Sequence, residues 1–148
     1  MSKQPDVSFA TTLMVRDGCL CLHAQRAARA LARRFDDLFR PLGLTNGQFS
    51  LLMALNRPQP APMRQVAELL AVDRTTLTAA LKPLERRGLL AVAVDPGDRR
   101  GRLLTLTDAG REVLARAVPL WEAEHAAVER ALADPARTRA DLVALSSR

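Results

Sequence analysis

Between residues 63 and 106 the chain runs through an ordered succession of signals that few folds can accommodate. Residues 63–70 have the apolar spacing of a short helix, and Ala71-Val72 leave room only for a tight turn. Asp73 is suited to cap a second helix running to Arg87, and Gly88 fits the left-handed position that closes it, with Leu89 as hydrophobic companion. Residues 90–94 then read as a strand, Asp95-Pro-Gly-Asp98 as a turn and 102–106 as the returning strand. Two short helices joined by a tight turn and followed by a hairpin predict a helix-turn-helix with a β wing.

The flanks are helical. Residues 1–12 are polar and mixed and read as a loose arm. From about Asp17 to Arg40, the residues Leu20, Ala24, Ala27, Leu31, Phe35, Leu38 and Leu42 recur at spacings of three and four. A helix of that length, on the order of 36 Å, exceeds what a small core requires, so part of its stripe needs a partner. Pro41 and Gly43 stop it, and Thr45 with Gln48 forms a capping box for the next helix, which carries Phe49, Leu51, Leu52 and Leu55. Residues 57–62 hold three prolines and read as a loop. After the hairpin, Thr107 caps a helix whose stripe of Leu114, Val118, Trp121, His125, Val128 and Leu132 approaches a coiled-coil seam. A last helix after Pro135 carries Leu142 and Leu145. The predicted class is mainly α with a small β-hairpin wing: residues 45–106 form a winged helix-turn-helix, and 13–42 with 107–148 a helical dimerisation region of one unit. Aromatic residues at 3%, with no Tyr, also suit a Leu/Ala/Val helical core better than a β-sandwich.

A net charge of +6 points to polyanionic partners, and its placement sharpens the reading. Residues 82–102 carry six basic side chains (Lys82, Arg86, Arg87, Arg99, Arg100, Arg102) against three acidic ones. A helix that reads DNA needs small hydrogen-bonding side chains near its N-terminus and cations beside the phosphates. Arg74, Thr75, Thr76 and Thr78 meet the first need, while Leu77, Leu81 and Leu84 take the core side. Lys82 and Arg86 are candidate phosphate contacts. Asp98-Arg-Arg-Gly-Arg102 reads as a basic loop tip, with Arg99, Arg100 and Arg102 available to a narrow minor groove and Asp98 placed to hold the Arg100 guanidinium by a bidentate pair.

Other classes find little support. No apolar run reaches a membrane span, and the N-terminal stretch, interrupted by Ser8, Thr11 and Thr12, is not expected to be a secretion signal. A cytoplasmic protein with reduced thiols is expected. There is no phosphate-binding Gly loop, nucleophile elbow or His–carboxylate motif, so no enzyme and no cofactor are expected. Nor is a metal site, since Cys19 and Cys21 on one helix would point about 200° apart. A winged helix used for protein contacts is the rival class; it would tolerate loss of Arg100 without change in nucleic-acid affinity.

Gly43-Leu-Thr45 with Gln48, Asp73-Arg-Thr-Thr-Leu-Thr78, Leu84-Glu-Arg-Arg-Gly-Leu89, Asp95-Pro-Gly-Asp-Arg-Arg100 and Leu104-Thr-Leu-Thr107 followed by Gly110 together resemble successive signatures of the MarR family of transcriptional regulators. The resemblance runs from about residue 17 to 130. It implies a homodimer whose first and last helices interlock, presenting two recognition helices to a pseudo-palindromic double-stranded site, with repression as the common mode. It also implies that Arg100 enters the minor groove and that Asp98 positions it. Two positions depart from the pattern: Ala79 stands where many relatives have Arg, and Pro83 falls inside the recognition helix, where it removes a hydrogen bond to the Ala79 carbonyl.

Two signals are compatible with this resemblance. One is a small aromatic or anionic effector, for which Arg16, His23 and His125 are candidate anchors, against the structural alternatives of a solvated Arg16 and a core or dimer-seam His125. The other is oxidation of Cys21, which matches the reactive cysteine of the organic-hydroperoxide-sensing branch. The tyrosines of that branch are replaced here by Gln25, Phe35 and Asn46, which leaves a buried, inert cysteine as the competing reading.

Overall fold

The computed structural model describes residues 5–147. Its contacts divide the chain into two compact units, residues 1–34 and 35–148.

The first unit is helical. Helix α1 spans Phe9–Gly18, and its N-terminus is capped by Ser8, whose hydroxyl accepts from the Thr11 N–H at 3.2 Å. The last four residues of the expected loose arm, 9–12, are therefore helix, because a Ser cap three residues before a hydrogen-bonding Thr is enough to start one; residues 1–4 lie outside the described residues. The long helix expected from Asp17 begins later. Gly18, a weak helix former, ends α1, and Cys19 takes an extended conformation (φ −74°, ψ 109°) before helix α2 runs over Leu20–Phe39. Cys19 thus sits at a break and Cys21 in the next helix, not both on one helix as the spacing suggested.

The second unit is built around buried Phe39, Leu51, Leu52, Leu55, Leu77, Leu84, Leu90, Leu104 and Leu106. A short 3-10 turn, Arg40–Leu42, ends at Gly43 in the left-handed region (φ 68°). Helix α3, Asn46–Leu55, follows with the expected capping box of Thr45 and Gln48. The end of α2 is tied to it by Asp36, whose carboxylate accepts from the Asn46 backbone N–H at 2.7 Å and from its side-chain amide at 2.8 Å. These two bonds, helped by Arg40 nearby, hold the Asp36 carboxyl below its ordinary value of 3.8. A carboxylate with a depressed folded value contributes stability that is complete above its unfolded value and is lost as pH falls through the folded one. Asp36→Ala should therefore cost about 1 kcal/mol at neutral pH, as for a lost helix cap, and the gap to wild type in thermal melts should close in acid.

Residues 57–60 form the expected loop, but Ala61–Pro62 is a two-residue strand, β1. Helix α4 covers Met63–Leu70, Ala71 takes the left-handed conformation (φ 54°) at the turn, and α5 covers Arg74–Arg86. Gly88 closes α5 at φ 71°, with the Leu89 N–H returning to the Leu84 carbonyl at 3.0 Å. Strands β2 (Leu90–Asp95) and β3 (Asp98–Leu106) form the hairpin, and the antiparallel order is β1-β3-β2. Pro62 is tolerated because β1 is an edge strand. Helix α6 spans Asp108–Arg130, capped by Thr107, and α7 spans Pro135–Ser146.

The expected seam on α6 is split. Leu114 is buried, and Val118 and Trp121 pack against the unit's own core, whereas His125 stacks on Trp121 with ring centroids 4.5 Å apart. Leu132 falls beyond the end of the helix. Among the described residues, no helix is long and apolar enough to cross a membrane.

Candidate nucleic-acid interface

Helix α5 starts where Asp73 accepts from the Thr76 backbone N–H at 2.7 Å, a bond that also holds the Asp73 carboxyl below its ordinary value. Leu77, Leu81 and Leu84 anchor the helix in the core. The opposite face carries Thr75, Thr76, Thr78, Lys82 and Arg86, all exposed. Arg74, Thr75, Thr78, Ala79 and Lys82 line one shallow hollow, so the cation at the first turn and the one two turns on share a face with the threonines. Thr78 donates its hydroxyl to the Arg74 carbonyl at 2.8 Å, which leaves its oxygen as an acceptor toward the outside.

The wing differs from its reading as a loop tip. Asp95 pairs with Asp98 across a two-residue Pro96-Gly97 turn, while Val94 pairs with Arg102, so Arg99, Arg100 and Gly101 bulge from β3 without opposite numbers on β2. The bulge is stapled from within. Asp98 Oδ1 accepts from the Arg100 backbone N–H at 3.0 Å, not from its guanidinium as the spacing had suggested. Arg102, half-buried, donates Nη1 to the carbonyls of Arg99 (3.2 Å) and Gly101 (3.0 Å). Among the described residues the Arg100 guanidinium has no partner, and both Arg99 and Arg100 are exposed.

Sequence reasoning missed the link between these two elements. Arg74 Nη2 donates to the Arg100 carbonyl at 2.7 Å, joining the first residue of α5 to the crest of the bulge 26 residues later. No periodicity announces such a bond, because its two ends meet only after the hairpin has folded beside the helix.

The remaining candidates in the first unit do not converge. Arg16 is exposed and paired with Asp17 (2.7 Å), and His23 Nδ1 donates to the Cys19 carbonyl at 2.7 Å. Cys21 is exposed rather than buried, and its sulfur accepts from the Gln25 side-chain amide at 3.1 Å. The half-buried Cys19 sulfur accepts from the Leu22 N–H at 3.4 Å.

Residues 42–101, from the turn after α2 to the wing bulge, match the model of the MarR family. The M. tuberculosis transcriptional regulator MosR, solved in complex with DNA, is 39% identical with a TM-score of 0.80, over 86% of this chain and 93% of that one. The chain belongs to the MarR family. As a MarR-family transcriptional regulator it is also similar to the repressor CouR of Rhodococcus jostii RHA1, solved on a 23-mer DNA duplex (29% identity, TM-score 0.72, 95% of this chain and 96% of that one). PcaV of Streptomyces coelicolor, solved with its natural ligand, is 28% identical with a TM-score of 0.71, over 95% of this chain and 94% of that one. No curated protein matches. The family's members are transcriptional regulators rather than enzymes, and the winged helix is their fold.

Proposed function

We propose that the chain acts as a homodimeric repressor that binds a pseudo-palindromic operator, each protomer placing α5 in a major groove and Arg100 in the adjacent minor groove. The observation that carries this reading is the stapled bulge: Asp98, Arg102 and Arg74 hold its backbone while the Arg100 guanidinium stays unpartnered among the described residues. A cation presented on a fixed backbone suits a narrow minor groove, where the negative potential is concentrated. Thr75 and Thr78 face bases or phosphates, and Lys82, Arg86 and Arg99 contact phosphates. Support for DNA as the partner comes from MosR and CouR, both solved on DNA.

The dimer rests on apolar surface that each unit leaves uncovered. Phe9, Met14 and Leu20 are 74%, 67% and 66% exposed in the first unit, and Leu142, Val143 and Leu145 of α7 are at least half exposed. Patches of that kind mark association surfaces. Release by a small ligand is part of the reading, supported by PcaV and by CouR, the latter also solved with p-coumaroyl-CoA. The test is titration onto labelled DNA from the region beside its own gene, with excess non-specific competitor, alongside sedimentation. Two protomers per competitor-resistant site are expected. Protein that sediments as a monomer, or binding that competitor abolishes, would reject the reading and favour a protein-binding winged helix.

A second reading, a peroxide-sensing repressor, is favoured by the exposure of Cys21, which leaves its sulfur within reach of an oxidant. Cys21→Ser should then bind operator as wild type does but no longer be released by organic peroxide. Equal peroxide sensitivity in the two proteins would sink this reading.

A further inference from the structure

The last turn of α5 lacks one bond of its own backbone and gains one from a side chain. Pro83 lies within the helix and has no N–H to donate to the Ala79 carbonyl, so one of the bonds joining this turn to the rest of α5 is missing. Lys82 and Arg86, both exposed, flank that proline. Arg87, directly after the helix, supplies a tie of another kind: its Nη1 donates to the Gly43 carbonyl at 2.6 Å, 44 residues away in the chain. That carbonyl follows the 3-10 turn Arg40–Leu42, and an arginine is a common partner for a free acceptor at a helix end. The guanidinium lies so close to Gly43 that a Cβ at this position would stand 3.1 Å from Nη2. The corner it grips is itself cross-tied. The Gly43 N–H donates to the Arg40 carbonyl at 2.9 Å, the Leu44 N–H donates to that of Phe39 at 3.2 Å, and Asp36 caps Asn46.

We propose that Arg87 is a positioning residue for DNA binding: it fastens the end of α5 to the corner at Gly43, holds Lys82 and Arg86 in place for the phosphates, and is not itself a phosphate contact. An element that is already ordered need not be ordered on binding, which is how a fixed turn raises affinity without a new contact. Released from Gly43, the last turn must be ordered when DNA arrives, so the same contacts form at lower affinity. In the sequence Arg87 is one of six cations between residues 82 and 102 and looks no different from Arg86. The structure separates them: Arg87 is spent on the protein, whereas Arg86 has no partner among the described residues. This inference rests on the placement of α5 in a major groove under the proposed function.

The test compares the full chain with Arg87→Ala, Arg87→Lys and Arg86→Ala, by hydrogen–deuterium exchange without DNA and by anisotropy on operator DNA over a range of salt. In Arg87→Ala the amides of residues 84–88 should exchange about tenfold faster, while those of residues 77–81 keep their wild-type rates. Operator affinity should fall about five- to tenfold, as expected when a bond from a charged donor is removed. The salt slope should stay at its wild-type value, whereas in Arg86→Ala it should fall by about one with exchange unchanged. Arg87→Lys keeps a charged donor for a single bond and should recover most of both losses. Unchanged operator affinity in Arg87→Ala, a slope lower by about one, or wild-type exchange at the end of α5 would each overturn the proposal. Faster exchange throughout α5 would overturn it too, since that marks a purely structural role. A wild type without a competitor-resistant site rejects the proposed function and the positioning role together, whereas a wild type that binds and an Arg87→Ala that binds equally well reject the positioning role alone.

Discussion

Replacing Arg100 by alanine is expected to weaken operator binding by about 10- to 100-fold, the effect of removing about 1–3 kcal/mol of groove interaction, while leaving the melting temperature unchanged. The separation of the two effects follows from how the wing is held. The bonds that Arg100 contributes to the fold are made by its backbone, the N–H to Asp98 and the carbonyl to Arg74, and alanine keeps both. Only the unpartnered guanidinium is removed. If that group sits in the minor groove, the loss should be larger on operators with A·T-rich flanks, where the groove is narrow, than on G·C-substituted ones. Arg99→Ala provides the contrast. If Arg99 contacts a phosphate, the variant should bind all sequences more weakly by a similar factor, and the salt slope should fall by about one. Fluorescence anisotropy at several salt concentrations measures both variants. Equal operator affinity of Arg100→Ala and wild type at every salt concentration would remove the wing from the interface and return the winged helix to protein recognition.

Such predictions rest on parts of the molecule that were unequally legible in the sequence. Features set by bonds over three to six residues were readable. Thr45, Asp73 and Thr107 cap their helices as expected, and Gly43 and Gly88 take the left-handed positions. The α5 core face was readable for the same reason, because helical periodicity alone assigns Leu77, Leu81 and Leu84. What escaped depends on pairing between distant segments. β1 exists only because Ala61 and Pro62 meet Leu104 and Leu103 on β3, more than forty residues away. The hairpin turn was placed correctly at Asp95–Asp98, yet the three-residue bulge after it was not foreseen, since its register is fixed by Arg102 opposite Val94. Misplacing that register turned Arg102 into a free cation and Asp98 into a side-chain partner of Arg100, whereas both serve the bulge backbone. At the other end of the chain, helix α1 escaped because Ser8 lies in a polar stretch without a strong apolar stripe, so the cap was the only signal for it.

Gly110 shows the same limit from the side of stability, and its replacement by alanine should damage the fold far more than loss of any surface cation. In the sequence it is merely part of a resemblance. In the structure it is the point at which the first turn of α6 packs on Leu89, the residue between the end of α5 and β2. A Cβ there would lie 2.1 Å from the Leu89 carbonyl oxygen and 2.7 Å from Leu106 Cδ1. The leucine methyl can turn aside, but the carbonyl is main chain and cannot retreat freely. It accepts from the Thr107 N–H at 3.2 Å, and the Thr107 hydroxyl donates to the adjacent Gly88 carbonyl at 2.6 Å. These two bonds press the first turn of α6 onto residues 88–89, so relieving the clash means lifting the helix start and breaking them. Overpacking of this kind costs about 3 kcal/mol or more where backbone must move. For a chain of this size that corresponds to a fall in melting temperature of roughly 6–12 °C. Gly47→Ala is the matched control. Its Cβ would meet only Thr45 Oγ1, at 3.9 Å, and alanine in a helix is better than glycine by about 0.5–1 kcal/mol, so this variant should melt at or above wild type. A Gly110→Ala protein that melts with wild type would mean that α6 does not approach Leu89 so closely. A fall in Gly110→Ala alone would locate the strain at the junction that sets the wing, the recognition helix and α6 in one packed unit.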